Sequence, residues 1–233
     1  RKFLEEVLEL EIPRTGLIPD LFLSQDERLW PSPLLKETGF YGPYWVINAG
    51  SKSDYTLKQY HRYQEVVNLL KGKLQFVQIG VLEHNHPPLD GVLDMRGKTG
   101  HRELYRLIYH AEGVLTCVSY PMHIAAALMK PCVVVAGGRE GTRWELYPNH
   151  RFLHTNGALN CCQYDGCWKS KIEDCANPTH PADTLQGETF TDDVRVPKCM
   201  EIIKPSMIAE AIELYYEGGI LNRETMEVSS VIG

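Results

Sequence analysis

From residue 44 onward, the apolar positions fall into short strand-length runs separated by stretches with helical spacing. The runs are 44–48 (YWVIN), 74–79, 92–95, 114–118, 132–136 and 152–154. They are largely continuous and rich in β-branched residues, as expected of strands covered on both faces. Between them, residues 57–70 place Leu57, Tyr60, Val67 and Leu70 at apolar helical positions, and residues 101–110 do the same with Leu104, Leu107 and Ile108. The stretch 114–138 is the best defined, as strand, turn, short helix and strand. Ser119 stands at the N-cap and Pro121 just inside the helix. Residues 124–129 are Ala-rich, Lys130 lies in the last turn, Pro131 is the stop, and Gly137-Gly138 closes the second strand. A last helix is predicted over 205–217, with Ile208, Ile212 and Tyr215 inward and Gly218-Gly219 after it. Alternating strands and helices with short connections predict a doubly wound parallel α/β sheet.

Residues 1–40 lack this alternation and read as a lead-in packed on something else. They hold an amphipathic helix (RKFLEEVLEL), a short edge strand at Leu21-Phe22-Leu23, and a second helix from Gln25 towards Trp30 that Pro31 and Pro33 interrupt. The domain proper is expected over 41–221, including a Cys-rich loop at 160–200, and residues 222–233 form a tail. Because the chain opens inside a helix, both a fragment and a removed leader are left open.

Ligands of doubly wound sheets bind outside the carboxyl ends of the strands. The loops after Asn48, Ile79, Met95, Val118 and Ala136 should therefore converge. Gly50, Ser51, Lys52 and Ser53, with Lys58, offer close backbone approach, hydroxyls and charge for a phosphate, or else a polar turn. The helix start beside Ser119 and His123 is a second phosphate candidate, or only a capped helix. Glu83 could accept from ribose hydroxyls. His84 and His86 have no obvious third ligand for a metal.

The net charge of −6 argues against a general nucleic-acid binder. No apolar run is long enough for a transmembrane helix, and no signal peptide is visible, so a cytoplasmic location is expected. Of seven cysteines, Cys117 and Cys132 sit in apolar strands, and the other five fall between Cys161 and Cys199. Cys162, Cys167, Cys175 and Cys199 give C-x4-C-x7-C-x23-C. This set suits a structural tetrahedral thiolate site for zinc or iron; disulfides and free thiols are the alternatives.

Together these motifs resemble the family 9 glycosyltransferases, the ADP-heptose:lipopolysaccharide heptosyltransferase group, over their carboxyl-terminal half. The segment YWVINAGSKSDYTLKQY resembles the family's "inPGa…K.w", and LDMRGKTGHRELYRLI its "lDl.GkTsl.elaali". SYPMHIAAALMKPCVVVAGG with Arg143-Trp144 resembles "DtGpmHlAaAlgkPvvalfG…rw", and CMEIIKPSMIAEAI the family's ending.

The resemblance implies the C-terminal half of a GT-B glycosyltransferase. This is a Rossmann-like domain that binds a nucleotide-sugar donor, ADP-heptose first, for inverting transfer without a catalytic metal. Lipopolysaccharide or protein would be the acceptor, bound by an N-terminal domain that also supplies the general base and is expected to lie outside this chain. Carried over, Ser51 and Ser53 would hold phosphate, Lys58 the pyrophosphate and Glu83 the ribose. Lys98, through its backbone, and Thr99 would line the base pocket, and Ser119, Tyr120 and His123 would surround phosphates and sugar. Lys58 and His123 would carry the catalytic role, with Lys58, Ser51 and the helix at Ser119 steadying the departing diphosphate. Similar cysteine clusters hold iron in the autotransporter branch of the family. Two departures stand out: Val118 replaces the sugar-contacting aspartate and Tyr120 a glycine. A non-catalytic nucleotide-sugar-binding or assembly module is therefore the alternative, and a homo-oligomer is allowed. A Rossmann oxidoreductase lacks support, since no G-x-G-x-x-G follows a strand.

Overall fold

A computed structural model describes residues 2–11, 18–179 and 195–222. The elements in order are α1 (Lys2–Leu8), α2 (Gln25–Leu29), α3 (Pro33–Thr38), β1 (Trp45–Asn48), α4 (Tyr63–Leu69), β2 (Phe76–Ile79) and β3 (Leu93–Asp94). They continue with α5 (His101–His110), β4 (Gly113–Cys117), α6 (Tyr120–Ala127), β5 (Cys132–Gly137), α7 (Thr142–Glu145) and β6 (His150–His154). The chain closes with a small antiparallel pair, β7 (Pro178–Thr179) and β8 (Val196–Pro197), then α8 (Lys198–Glu201) and α9 (Pro205–Glu217).

The six main strands form one parallel sheet in the order β3-β2-β1-β4-β5-β6. Its order reverses between β1 and β4, the switch point where open α/β sheets bind ligands. Side chains alternate across the strands. Trp45 and Ile47 of β1 face a cluster built with Tyr63 of α4 and Ile208, Ile212 and Tyr215 of α9. Val46 faces the opposite cluster, with Leu107 and Ile108 of α5 and Met122 of α6. Both faces are dry, which explains the unbroken apolar runs.

Several elements differ from expectation. The helix expected over 57–70 is broken into one 3-10 turn, Thr56–Lys58, and α4. Tertiary contacts win there: Leu57 N–H donates to Ser170 O at 3.1 Å, and the buried Tyr60 hydroxyl donates to Ile203 O at 2.9 Å. Helix α6 begins at Tyr120 and ends before Pro131 is reached. Met129 takes the left-handed conformation (φ 55°), and Lys130 N–H bonds back to Ala125 O at 2.8 Å. Lys130 is therefore past the helix, with Nζ on Ala111 O. Leu21-Phe22-Leu23 joins no ladder.

Of the lead-in, α2 and α3 pack on the domain, whereas Phe3, Leu4, Val7 and Leu8 of α1, expected on a buried face, are exposed. Ser24 caps α2 through a capping box with Glu27, which also binds Arg102 of α5. Leu34 of α3, fully buried, belongs to the same cluster as Val46. All of the expected tail beyond Asn222 lies outside the described residues, as does 180–194 of the Cys-rich loop. Among the described residues no helix is long and apolar enough to cross a membrane.

Candidate functional site

The loops after β1, β2 and β3 meet the start of α6 around a cavity of about 790 Å³, the size of ordinary small-molecule sites. Asn48, Ser51, Glu83, Thr99, Ser119 and Tyr120 all line it. The first two loops are stitched together. Ser51 N–H donates to Asn85 O at 3.2 Å, and Asn85 N–H returns to Ser51 O at 3.1 Å. Only glycine fits at Gly50 beside this stitch, because a Cβ would collide with the Asn85 carbonyl and lie 2.6 Å from His86 Nδ1. Buried Gln78 on β2 holds the second loop from below: its Nε2 donates to Pro87 O (2.6 Å) and its Oε1 accepts from Leu89 N–H (3.0 Å).

A polar knot marks the switch point. Asn48 Nδ2 donates to Thr116 Oγ1 (3.2 Å) and Ser119 Oγ (3.0 Å), and the two hydroxyls lie 2.9 Å apart. Ser119 occupies the N-cap position but makes no side-chain cap bond, contrary to the expected role. Its hydroxyl instead locks the ends of β1 and β4 beneath the start of α6. In the first turn of α6 Pro121 has no N–H and Met122 N–H donates to Ser119 O at 3.0 Å, so what the helix start brings to the cavity wall is chiefly the positive end of its dipole.

Beside the cavity stands a charged group that joins three loops. Lys58 Nζ donates to Val118 O at 3.1 Å and pairs with Glu140 Oε1 at 2.8 Å. Arg139 pairs with the same Glu140 oxygen. His123, half-buried on α6, shares a 2.8 Å hydrogen bond between Nδ1 and the Tyr147 hydroxyl. Burial, helped by nearby Lys58, lowers the affinity of His123 for a proton, against the pull of Glu140. His123 therefore stays neutral near pH 7 and brings a hydrogen-bonding ring, not a charge, to the helix start.

His150 lies behind Tyr147, with ring centroids 5.5 Å apart and both ring nitrogens unpartnered among the described residues. Burial, then repulsion from His123 once that ring is protonated, pushes its pKa down to about 4 from 6.5. Between those values the unfolded chain binds a proton that the folded chain refuses, so stability must fall as pH falls. From pH 7 to pH 5 the loss attributable to His150 is about 2 kcal/mol. Denaturant unfolding at the two pH values should show it, and His150→Phe should reduce the pH dependence by about that amount, while His86, which burial also lowers to about 4, contributes its own share in both proteins. An equal pH dependence in both proteins would contradict the assignment.

The family model of glycosyltransferase family 9 (heptosyltransferase) matches residues 3–164. The chain belongs to glycosyltransferase family 9. No curated protein matches it. Among solved structures it is similar to the family 9 glycosyl transferase of Veillonella parvula DSM 2008, with TM-score 0.62, 14% identity, and 94% of this chain and 58% of that one covered. It is also similar to E. coli ADP-heptose lps heptosyltransferase II, with TM-score 0.58, 16% identity and coverage of 90% and 57%. A third is the dodecameric iron-containing heptosyltransferase TibC of enterotoxigenic E. coli H10407, in complex with ADP-D-beta-D-heptose (TM-score 0.53, 20% identity, 77% and 46% covered). This chain thus spans roughly half the length of these relatives. The likenesses confirm the Rossmann-like α/β fold of the GT-B heptosyltransferases.

Within this family 9 domain, the expected site residues fall into three groups. Ser51, Glu83, Thr99, Ser119 and Tyr120 line the cavity. Lys58 and His123 stand together beside it. Ser53 and Lys98 do not line it: Ser53 is exposed on a turn, and Lys98 turns its Nζ back to Asp94 O at 2.7 Å. The Ser51 hydroxyl is engaged with Tyr55 O at 3.1 Å. Tyr120 leans on α5, its hydroxyl shared with that of Tyr105. Glu140, Arg139 and Tyr147 were not foreseen. The signal was the charged Arg-Glu pair directly after Gly137-Gly138, at the carboxyl end of a central strand.

The cysteines gather behind this loop. A Cβ on Gly138 would lie 3.1 Å from Cys162 Sγ and 3.2 Å from Cys199 Cβ, and Cys167 N–H donates to Gly138 O at 3.1 Å. Burial pushes the Cys199 thiol up to about 11; the Gly138 backbone opposes this, and Cys175, Cys167 and Cys162 add to it. Four soft donors therefore share one neighbourhood, and Cys161 stands at its edge: its sulfur accepts from Asn177 Nδ2, whose backbone N–H donates to Cys175 Sγ, and after burial it helps raise the Cys167 thiol. As placed, no group of three or more His, Cys, Asp or Glu among the described residues is close enough to hold an ion. The donor chemistry fits a soft metal, and a cation would offset the cost of ionising buried thiols.

Proposed function

We propose that this chain binds the nucleotide-sugar donor of an inverting heptosyl transfer, with ADP-heptose as that donor. The observation that carries this is the cavity at the β1/β4 switch point, with the start of α6 on its wall and Lys58 beside it. In this arrangement the base and ribose take the side lined by Leu82, Glu83 and Thr99. The diphosphate takes the side formed by α6, Ser119 and Lys58. Lys58 and the positive end of the α6 dipole then stabilise the charge that builds on the departing diphosphate. His123 donates or accepts at the same end. The acceptor, a lipopolysaccharide or a protein, and the base that deprotonates it come from outside the described site. Family membership and the ligand in the TibC complex support this assignment.

Cys162, Cys167, Cys175 and Cys199 are proposed to hold one structural iron or zinc. A cytoplasmic setting, where thiols are kept reduced and free to bind metal, goes with this proposal. Assembly into a homo-oligomer is an extension from dodecameric TibC.

One specific observation favours the non-catalytic alternative: Val118, 3% exposed, puts an apolar side chain where β4 meets α6. Calorimetric titration with ADP, UDP, GDP and ADP-heptose separates the two. Donor binding predicts ADP at least tenfold tighter than UDP or GDP, and ADP-heptose tighter than ADP. ADP-heptose binding no better than ADP would favour the module without transfer. No nucleotide binding at all would contradict both. Metal analysis of purified protein should find one iron or zinc per chain, lost in Cys199→Ser.

A further inference from the structure

Glu140 is 3% exposed, and only one of its carboxylate oxygens is engaged. Oε1 meets both Lys58 and Arg139, while Oε2 is buried with no partner among the described residues. A buried carboxylate needs cationic company, and losing all of it would be costly. Its two cations are held very differently. Both lie over the Tyr55 ring, Lys58 Nζ at 5.2 Å and Arg139 at 5.4 Å, but Arg139 is fixed further, with Nε donating to Lys169 O at 2.5 Å and its carbonyl accepting from Trp168 N–H. Lys58 is a flexible stem ending in a point charge, its side chain 18% open to solvent. Of its three ammonium donors, one goes to Val118 O and one to Glu140. Arg139 is thus the permanent partner of Glu140, and Lys58 the exchangeable one.

We propose that Glu140 is the resident anion of the diphosphate site. In the empty chain it neutralises Lys58 and holds it extended beside α6. An arriving diphosphate takes Lys58 over and leaves Glu140 to Arg139. This rests on the proposed donor binding and adds a selection rule to it. A ligand with little negative charge cannot outbid a carboxylate already in place, whereas a diphosphate can. Glu140 is therefore a positioning and specificity residue, acting through Lys58.

The backbone around the pair supports this. The 168–172 segment holds both partners: Ser170 O accepts from Leu57 N–H next to Lys58, Ile172 N–H donates to Thr56 Oγ1, and Lys169 O holds Arg139. The carriers of Lys58 and Glu140 are therefore fixed to one frame, and the exchange needs only the lysine side chain to move.

The test is calorimetric titration of the full chain with ADP and AMP, for wild type, Glu140→Gln, Lys58→Met and the double variant. Alongside it, the acylation rate of Lys58 is followed by peptide mass spectrometry. Glu140→Gln should bind ADP about tenfold tighter and gain proportionally more for AMP. The gain should vanish when Lys58 is Met, which separates exchange from a general loss of negative charge. Lys58 should be acylated severalfold faster in Glu140→Gln, and ADP should protect it. If the amide disturbs folding, Glu140→Asp, which keeps a charge beside Arg139, should shift affinity and acylation in the same direction, by about threefold. ADP that binds wild type but gains nothing in Glu140→Gln overturns the exchange and leaves the proposed function standing. No ADP binding to any of the proteins overturns both. An unchanged acylation rate overturns the pairing itself.

Discussion

Lys58→Ala should weaken ADP binding by about 10- to 100-fold, the range expected for losing a charge-assisted hydrogen bond to a phosphate. The site explains why the loss should be this large. Lys58 is reached from a single 3-10 turn, and its ammonium sits where Val118 O and Glu140 Oε1 hold it, beside the first turn of α6. Arg139 cannot take its place, since its guanidinium is tied to Lys169 O and Glu140. The variant should stay folded, because Arg139 still accompanies the Glu140 carboxylate. Calorimetry with a melting curve as control checks this. A loss of less than twofold in a folded variant would place the diphosphate elsewhere.

Trp45→Ala should cost about 3–5 kcal/mol of stability, the range for deleting a large buried aromatic. This is a sizeable part of the 5–15 kcal/mol typical of whole domains. Trp45 is fully buried on central strand β1, 6.0 Å from the Tyr215 ring. Its ring covers Gly113 so closely that a Cβ there would lie 2.6 Å from it. Its Nε1 donates to the Tyr216 hydroxyl at 2.8 Å, which donates to Glu112 Oε2 at 2.8 Å. Truncation would open a void between β1, β4 and α9 and remove a hydrogen-bond partner inside it. Denaturant unfolding would measure the change, and a cost below 1 kcal/mol would contradict this packing.

The sheet was legible because parallel strands buried on both faces write themselves as apolar runs, and β1, β4 and β5 are such runs. The β4-α6-β5 unit was legible down to Pro121 at the helix start. What failed was local and decided by tertiary contacts. Nothing in residues 57–70 announces that Ser170 and Ile203 break the helix there. The Ser119 side chain was expected to cap its own helix and instead bonds Asn48, which comes from another strand. Met129 ends α6 in a left-handed conformation that glycine would have advertised. For the site, the rule that ligands lie at the carboxyl edge of the sheet brought five expected residues to one cavity. It missed Glu140 because a carboxylate in a loop reads as solvated until the fold buries it against Lys58. Tyr147 was missed for the same kind of reason: its partner His123 is 24 residues away in sequence.

The central claim is that the cavity at the β1/β4 switch point is the nucleotide site, and a crystal structure of the chain with ADP tests it most directly. The predicted result is the diphosphate at the first turn of α6 within hydrogen-bond reach of Lys58 Nζ, with Glu140 left to Arg139 and the base beside Leu82 and Thr99. ADP bound outside this cavity, or bound within it with the diphosphate turned away from α6 and Lys58, would contradict the account.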